Sequence, residues 1–173
     1  MSKNIFLITG LMASGKSTIS EMLASTLNPA VHLRGDIFRK MIITGRADMS
    51  EHPSAEAVNQ LHLRYQLTAE CAKKYFDNGF SVVIQDNYYC SELPYMLERL
   101  KGYPVQTIVL CPNVSAIRDR EAKRNKKGYT GFEIESLYNT FMSETPRIGL
   151  WIDSSTQTPQ QTLDYIKEHF KLR

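Results

Sequence analysis

Gly10-Leu11-Met12-Ala13-Ser14-Gly15-Lys16-Ser17-Thr18 follows directly on the apolar run Ile5-Phe6-Leu7-Ile8, and the two together decide how the chain is read. The stretch matches the pattern G-x-x-x-x-G-K-[ST] at every fixed position. Each of those positions answers a chemical need. Gly10 and Gly15 let the backbone bend and approach an anion, so that successive N–H groups face phosphate oxygens. Lys16 adds a full charge at the start of a helix whose first amides are themselves unpaired donors. The Ser17 hydroxyl is short enough to ligate the magnesium ion that accompanies a nucleoside triphosphate. Ala13, Ser14 and Thr18 are the remaining residues expected to wrap the phosphates. The bland alternative, a glycine turn that happens to carry a lysine, does not account for the strand before it or for Ile19, Met22, Leu23 and Leu27 at helical spacing after it.

Size and composition narrow the class. The chain has 173 residues, enough for one domain with a substantial core, and a net charge of +3, too mild to argue for nucleic acid or a membrane surface. No apolar run is long enough to span a membrane, and the N-terminus enters a strand with no signal-peptide core, so a cytoplasmic protein is expected. Cys71, Cys90 and Cys111 are widely separated and have no histidine at metal-ligand spacing, which reads as reduced thiols.

Outward from the loop, strand and helix patterns alternate. Val31 to Leu33 reads as a second strand ending at Arg34-Gly35-Asp36, followed by a short helix through Ile37 and Met41. Thr44 to Pro53 is a polar loop, and Ser54 to Asp77 a long helix whose buried face carries Val58, Leu61, Tyr65, Ala69, Ala72 and Phe76. Phe80 to Gln85 is a buried strand ending at Asp86-Asn87-Tyr88-Tyr89. Then come a helix over Leu93 to Lys101, a strand over Val105 to Leu110, a charged helix over Val114 to Lys126 and a helix near Phe132 to Met142. A strand over Ile148 to Ile152 and a helix beginning near Pro159 complete the chain. Five apolar strands separated by helices predict an α/β fold, a parallel sheet with helices on both faces. Ligands in such folds gather at the carboxyl ends of the strands, which puts Gly10 to Thr18, Asp36, Asp86 and Ser154 to Thr156 on one rim.

That rim supplies candidate chemistry. Asp36 is placed to accept the proton of a substrate hydroxyl during phosphoryl transfer; its competing use is to cap the next helix. Arg39 would clamp an anionic acceptor or pair with Asp36. Asp86, at the end of Val82-Val83-Ile84-Gln85, is expected to help hold Mg²⁺ through a bound water, with direct substrate contact or a plain turn as the other uses. Tyr88 and Tyr89 would wall the acceptor pocket or serve packing. Arg120 and Arg124, four apart, would reach one transferring phosphoryl group, and Gly128 and Gly131 would let residues 118 to 131 close as a lid that excludes water. A solvated helix whose charges pair with Asp119 and Glu121 is the competing picture. Ser154 to Thr156 and Arg147 are expected to border the adenine.

Taken together, Gly10 to Thr18, Arg34-Gly35-Asp36, Val82 to Asp86, Arg120 with Arg124, and Trp151 to Pro159 resemble the small phosphate-loop kinases related to chloramphenicol phosphotransferase, with polynucleotide kinases and zeta-type toxins as more distant kin. The resemblance implies a sheet in the order 2-3-1-4-5 and transfer of the ATP γ-phosphate to a hydroxyl, with ATP and Mg²⁺ bound. Carried over, Lys16 and Ser17 hold phosphate and magnesium, Asp36 is the base, and Arg120 and Arg124 are the lid arginines. Thr44 to Pro53 and Asn87 to Tyr95 match no member of the group, so acceptor specificity is not carried over. The expected partners are a small hydroxylated molecule and, for the chain itself, a second copy in a homodimer, with no nucleic acid or membrane. A polynucleotide 5′-kinase, or a nucleotide sensor without catalysis, would share the loop; steeply salt-dependent binding would mark the first and absent acceptor-dependent turnover the second.

Overall fold

The computed structural model describes residues 3–124, 128–129 and 132–172. β1 (Ile5–Gly10) is the central strand of a five-stranded sheet in the order β2 (Ala30–Arg34), β3 (Ser81–Gln85), β1, β4 (Val105–Leu110), β5 (Leu150–Ile152). Every pairing is parallel. The topology and the predicted 2-3-1-4-5 order agree.

Helices cover both faces because the central strand is buried and apolar on both. Ile5 and Leu7 of β1 point to one side, where they meet Val82 and Ile84 of β3 and the packed faces of α3 (Ala55–Asp77) and α4 (Glu92–Arg99) through Tyr65, Ala69, Leu93 and Met96. Phe6 and Ile8 point to the other, against Ile19 and Leu23 of α1 (Lys16–Ser25) and Leu163 and Ile166 of α7 (Pro159–His169). A third cluster joins Leu11 and Val109 to Ile117 of α5 (Val114–Ala122) and Phe141 of α6 (Ile134–Glu144). The short α2 (Asp36–Lys40) follows β2 directly. Among the described residues no helix is long and apolar enough to cross a membrane.

The parallel register aligns the strand ends. Arg34 lies beside Gln85, Gln85 beside Ile8, Gly10 beside Leu110, and Leu110 beside Ile152. The five carboxyl ends therefore form one edge.

Two elements differ from expectation. α5 ends at Ala122 rather than Lys126, where the Arg124 amide turns back to the Glu121 carbonyl at 3.2 Å. Glu121 also draws the chain round, its carboxylate accepting from Arg124 Nη1 at 3.0 Å and from the Gly128 amide. β5 is only Leu150–Ile152, because Gly149 before it takes a φ of 78° and passes so close to Thr107 that a Cβ would collide with its carbonyl.

β1 carries the loop at its end, so its packing holds the site. Leu7 is wholly buried. Leu7→Ala is expected to cost about 2–5 kcal/mol through lost contacts and a cavity, read as a lower urea midpoint.

Candidate active site

The phosphate loop begins where β1 can no longer carry side chains. Gly10 has a φ of 142°, and a Cβ there would run into the Leu110 carbonyl oxygen. Leu11 turns back into the core, Ala13 and Gly15 take left-handed φ values of 62° and 100°, and the Ser14 amide closes a turn on the Leu11 carbonyl at 3.1 Å. Alternation of this kind turns successive amides to one side and makes an anion-binding nest. Lys16 Nζ lies over the loop and donates to the Gly10 and Leu11 carbonyls at 2.8 and 2.7 Å. Burial lowers its pKa to about 7; the Asp86 carboxylate opposes that shift and the Arg124 charge adds to it.

Beside the loop, Ser17 Oγ donates to Gln85 Oε1 at 3.3 Å. The next residue, Asp86, is buried and held on both oxygens by Arg64 of α3, with Nε to Oδ2 at 2.9 Å and Nη2 to Oδ1 at 3.1 Å, while the Asn87 amide donates to Oδ1 at 2.8 Å. Burial pushes the Asp86 carboxyl up against the pull of Arg64 and Lys16. Gly35 packs so tightly on this carboxylate that any Cβ would strike Oδ2. That contact brings the β2–α2 turn, and Asp36 with it, up to the loop.

Asp36 pairs with Lys40 Nζ at 3.2 Å and Arg34 Nε at 3.8 Å, leaving its side chain 27% exposed. Arg39 does not pair with it. Arg39 instead meets Asp48 of the polar loop, which Arg46 also approaches at 3.7 Å.

From the opposite side, Arg120 grips two strand-end loops: Nη1 donates to the Ser14 carbonyl at 3.2 Å and Nη2 to the Ser154 carbonyl at 2.6 Å. Arg124 lies past the end of α5 and pairs with Glu121, yet it lines the same space as Arg120. The expected pairing of this segment's charges with Glu121 and its expected reach into the cavity thus coexist in Arg124. Lys126, Lys127 and Gly131 lie outside the described residues.

These groups surround one cavity of about 1280 Å³. Lys16, Ser17, Arg120, Arg124, Ser154 and Gln157 line it, and so do Asp36, Arg39, Arg64, Asp86, Tyr89 and Glu92. Tyr88 is not among them. Its side chain is fully buried under α3, its ring centroid 4.7 Å from that of Tyr65, so the expected wall is Tyr89 alone. Arg147 is also elsewhere, stacked on Trp151 with its guanidinium 4.0 Å from the ring. Ser155 accepts from the Asn113 amide at 2.8 Å and braces the β4–α5 loop instead of lining the cavity.

Sequence reasoning missed Arg64. The signal was an arginine set between Leu61 and Tyr65 on the buried face of a long helix, a charge that requires a buried partner. As for Mg²⁺, among the described residues no cluster of three His, Cys, Asp or Glu side chains could cage a metal. The donors present suit an ion that keeps most of its waters: the Ser17 hydroxyl, and an Asp86 carboxylate reached through water because Arg64 holds both its oxygens.

The comparisons with known proteins agree with this geometry. The AAA_33 family pattern, described as an AAA domain, matches residues 5–137. Among solved structures, a tunicamycin resistance protein from Deinococcus radiodurans superposes with a TM-score of 0.74 at 15% identity, covering 99% of this chain and 98% of that one. A sugar kinase from Janibacter sp. gives 0.70 at 17% identity (99% and 96% covered) and a shikimate kinase from Bacteroides thetaiotaomicron 0.66 at 14% (99% and 100%). Likeness at such identities establishes the fold alone. No curated protein sequence matches the chain.

Two outcomes follow from the buried charges. The ammonium form of Lys16 is the one that binds phosphate, and bound phosphate raises its pKa, so above about pH 7 binding must take up a proton. ADP affinity is therefore expected to fall with rising pH between 7 and 9, by about tenfold per unit at most, and to lose that drift in Lys16→Arg, as calorimetry at several pH values will read. Arg64→Ala strands a buried carboxylate and should cost about 3–5 kcal/mol in urea unfolding, part of it restored in Arg64→Ala/Asp86→Ala.

Proposed function

The chain belongs to the AAA_33 family, and on that premise we propose that it is an ATP-dependent kinase transferring the γ-phosphate to a hydroxyl of a small, uncharged molecule. One observation carries the proposal: a single cavity is lined both by a phosphate nest with three cations, Lys16, Arg120 and Arg124, and by the Asp36 carboxylate. In-line transfer needs that arrangement, a clamp on the leaving phosphates and a base beside the attacking oxygen.

In this reading the triphosphate lies along the loop, and Lys16 leaves the Gly10 and Leu11 carbonyls for the β- and γ-phosphates. Arg120 and Arg124 face the phosphoryl group as negative charge spreads over its oxygens. Ser17, with Asp86 through water, would hold Mg²⁺, which would supply further neutralisation of phosphate charge. Asp36 receives the acceptor proton; Asp86, gripped by Arg64, supports the site electrostatically and is the poorer base.

The acceptor class follows from charge. Arg39 and Arg64 already face Asp48 and Asp86, Arg34 faces Asp36, and Glu51 and Glu92 add two more carboxylates to the lining. An acidic or phosphorylated acceptor would have to break existing pairs, while Met49, Leu61, Phe132 and Leu137 offer an apolar surface. A hydroxylated antibiotic or an uncharged metabolite fits. A polynucleotide does not. The fold neighbours named as a sugar kinase and a tunicamycin resistance protein are in keeping with this class, as is the resemblance to chloramphenicol phosphotransferase. The cysteines are all free thiols, and the cytoplasm is the compartment we propose.

An ADP-release screen over hydroxylated antibiotics, nucleosides, sugars, sugar acids and sugar phosphates tests the proposal. Uncharged members should stimulate turnover, and anionic ones should not. Lys16→Ala is expected to lose at least about 100-fold in kcat with its Tm kept, and Asp36→Asn about 10²–10⁴-fold without a change in nucleotide KM. Near-normal turnover in Lys16→Ala would contradict the assignment.

A further inference from the structure

The connection from α5 to α6 returns to the phosphate loop at a point that the kinase reading does not use. The ring of Tyr129 packs against the cluster of Leu11, Val109, Ile117 and Phe141, and its hydroxyl donates to the Met12 carbonyl oxygen at 2.8 Å. Across a trans peptide the C=O and N–H point in opposite directions. Tyr129 is not among the residues that line the cavity, so its hydroxyl draws the Met12 carbonyl away from that space and turns the Ala13 amide toward it.

The same peptide plane sets the φ of Ala13, 62°, a left-handed value that alanine adopts only under constraint. Rotating the Met12–Ala13 peptide would relieve that strain and swing the amide out of the nest. The Tyr129 hydrogen bond opposes the rotation. One peptide pair further along, Arg120 does likewise: its bond to the Ser14 carbonyl at 3.2 Å turns the Gly15 amide inward.

Gly128 makes the approach of Tyr129 possible. A Cβ there would meet Met12 Cβ at 3.1 Å and its Sδ at 3.3 Å, tighter than ordinary packing. The Gly128 amide is itself anchored to the buried Glu121 carboxylate that also takes Arg124 Nη1 at 3.0 Å. The segment that brings Tyr129 to the loop is thus tied to the arginine that faces the phosphates.

We propose that Tyr129 is a positioning residue for nucleotide phosphate: with Arg120 it holds the outer carbonyls of the loop so that the Ala13 and Gly15 amides are already aimed at the anion. Preorganised donors bind without a reorganisation cost, and that is the contribution made here. Burial and the nearby Glu121 hold the Tyr129 hydroxyl well above its ordinary pKa, so it stays a donor at any working pH. The inference rests on the kinase reading only so far as the loop binds a nucleotide.

Calorimetry with ADP and with pyrophosphate tests it on the wild-type chain, Tyr129→Phe and Gly128→Ala. Tyr129→Phe keeps the ring and removes one neutral hydrogen bond, so affinity for both ligands should fall by about fivefold, and by the same factor for each. Gly128→Ala, which pushes the segment off Met12, should act in the same direction. Unchanged ADP affinity in Tyr129→Phe overturns the proposal, as does a loss for ADP with none for pyrophosphate, which would place the effect on the nucleoside. A wild-type chain that binds neither ligand would overturn the assignment of the loop itself, and the two failures are therefore distinct.

Discussion

No side chain fits between Gly10 and the Leu110 carbonyl, and that close approach fixes where the central strand stops and the phosphate loop begins. The rest is arranged around it. Because β1 is flanked by β3 and β4 in parallel register, the stop at Gly10 falls level with Leu110 and two residues past the pairing of Ile8 with Gln85, and the segments leaving those strands are delivered to the same edge. The loop could not be surrounded by Asp86, Arg120 and Ser154 if any strand ran in the opposite direction. Burial on both faces of the sheet holds this edge rigid enough for amide groups to be aimed.

The cations that line the cavity are held in two ways. Lys16 bonds to the Gly10 and Leu11 carbonyls, contacts that an incoming phosphate could replace with stronger ones. Arg39, Arg64 and Arg124 bond to carboxylates, which a neutral molecule has no reason to disturb. The depressed pKa of Lys16 belongs to the same economy of burial: an ammonium held among carbonyls in a desolvated loop is poised for an anion.

Much of this was legible in the chain. Strand runs such as Val82-Val83-Ile84 and Val105 to Leu110 announce themselves by composition, and the glycine and lysine spacing of the loop has one common use. What stayed hidden depends on contacts distant in sequence. Arg64 and Asp86 are 22 residues apart on different elements, and only folding shows that they neutralise each other. Tyr88 and Tyr89 look alike in sequence, but the turn after β3 buries the first under Tyr65 and points the second at the cavity. The sequence reading extended α5 to Lys126, yet Glu121 ends it early by drawing the chain back on itself. Arg147, expected near the base, is claimed by the face of Trp151.

The most direct test of the central claim is a crystal structure with bound MgADP. The account predicts the β-phosphate within the loop from Ala13 to Ser17, facing its amides, with Lys16 Nζ moved from the Gly10 and Leu11 carbonyls onto it. A diphosphate lying outside that loop, with Lys16 still on the two carbonyls, would contradict the account.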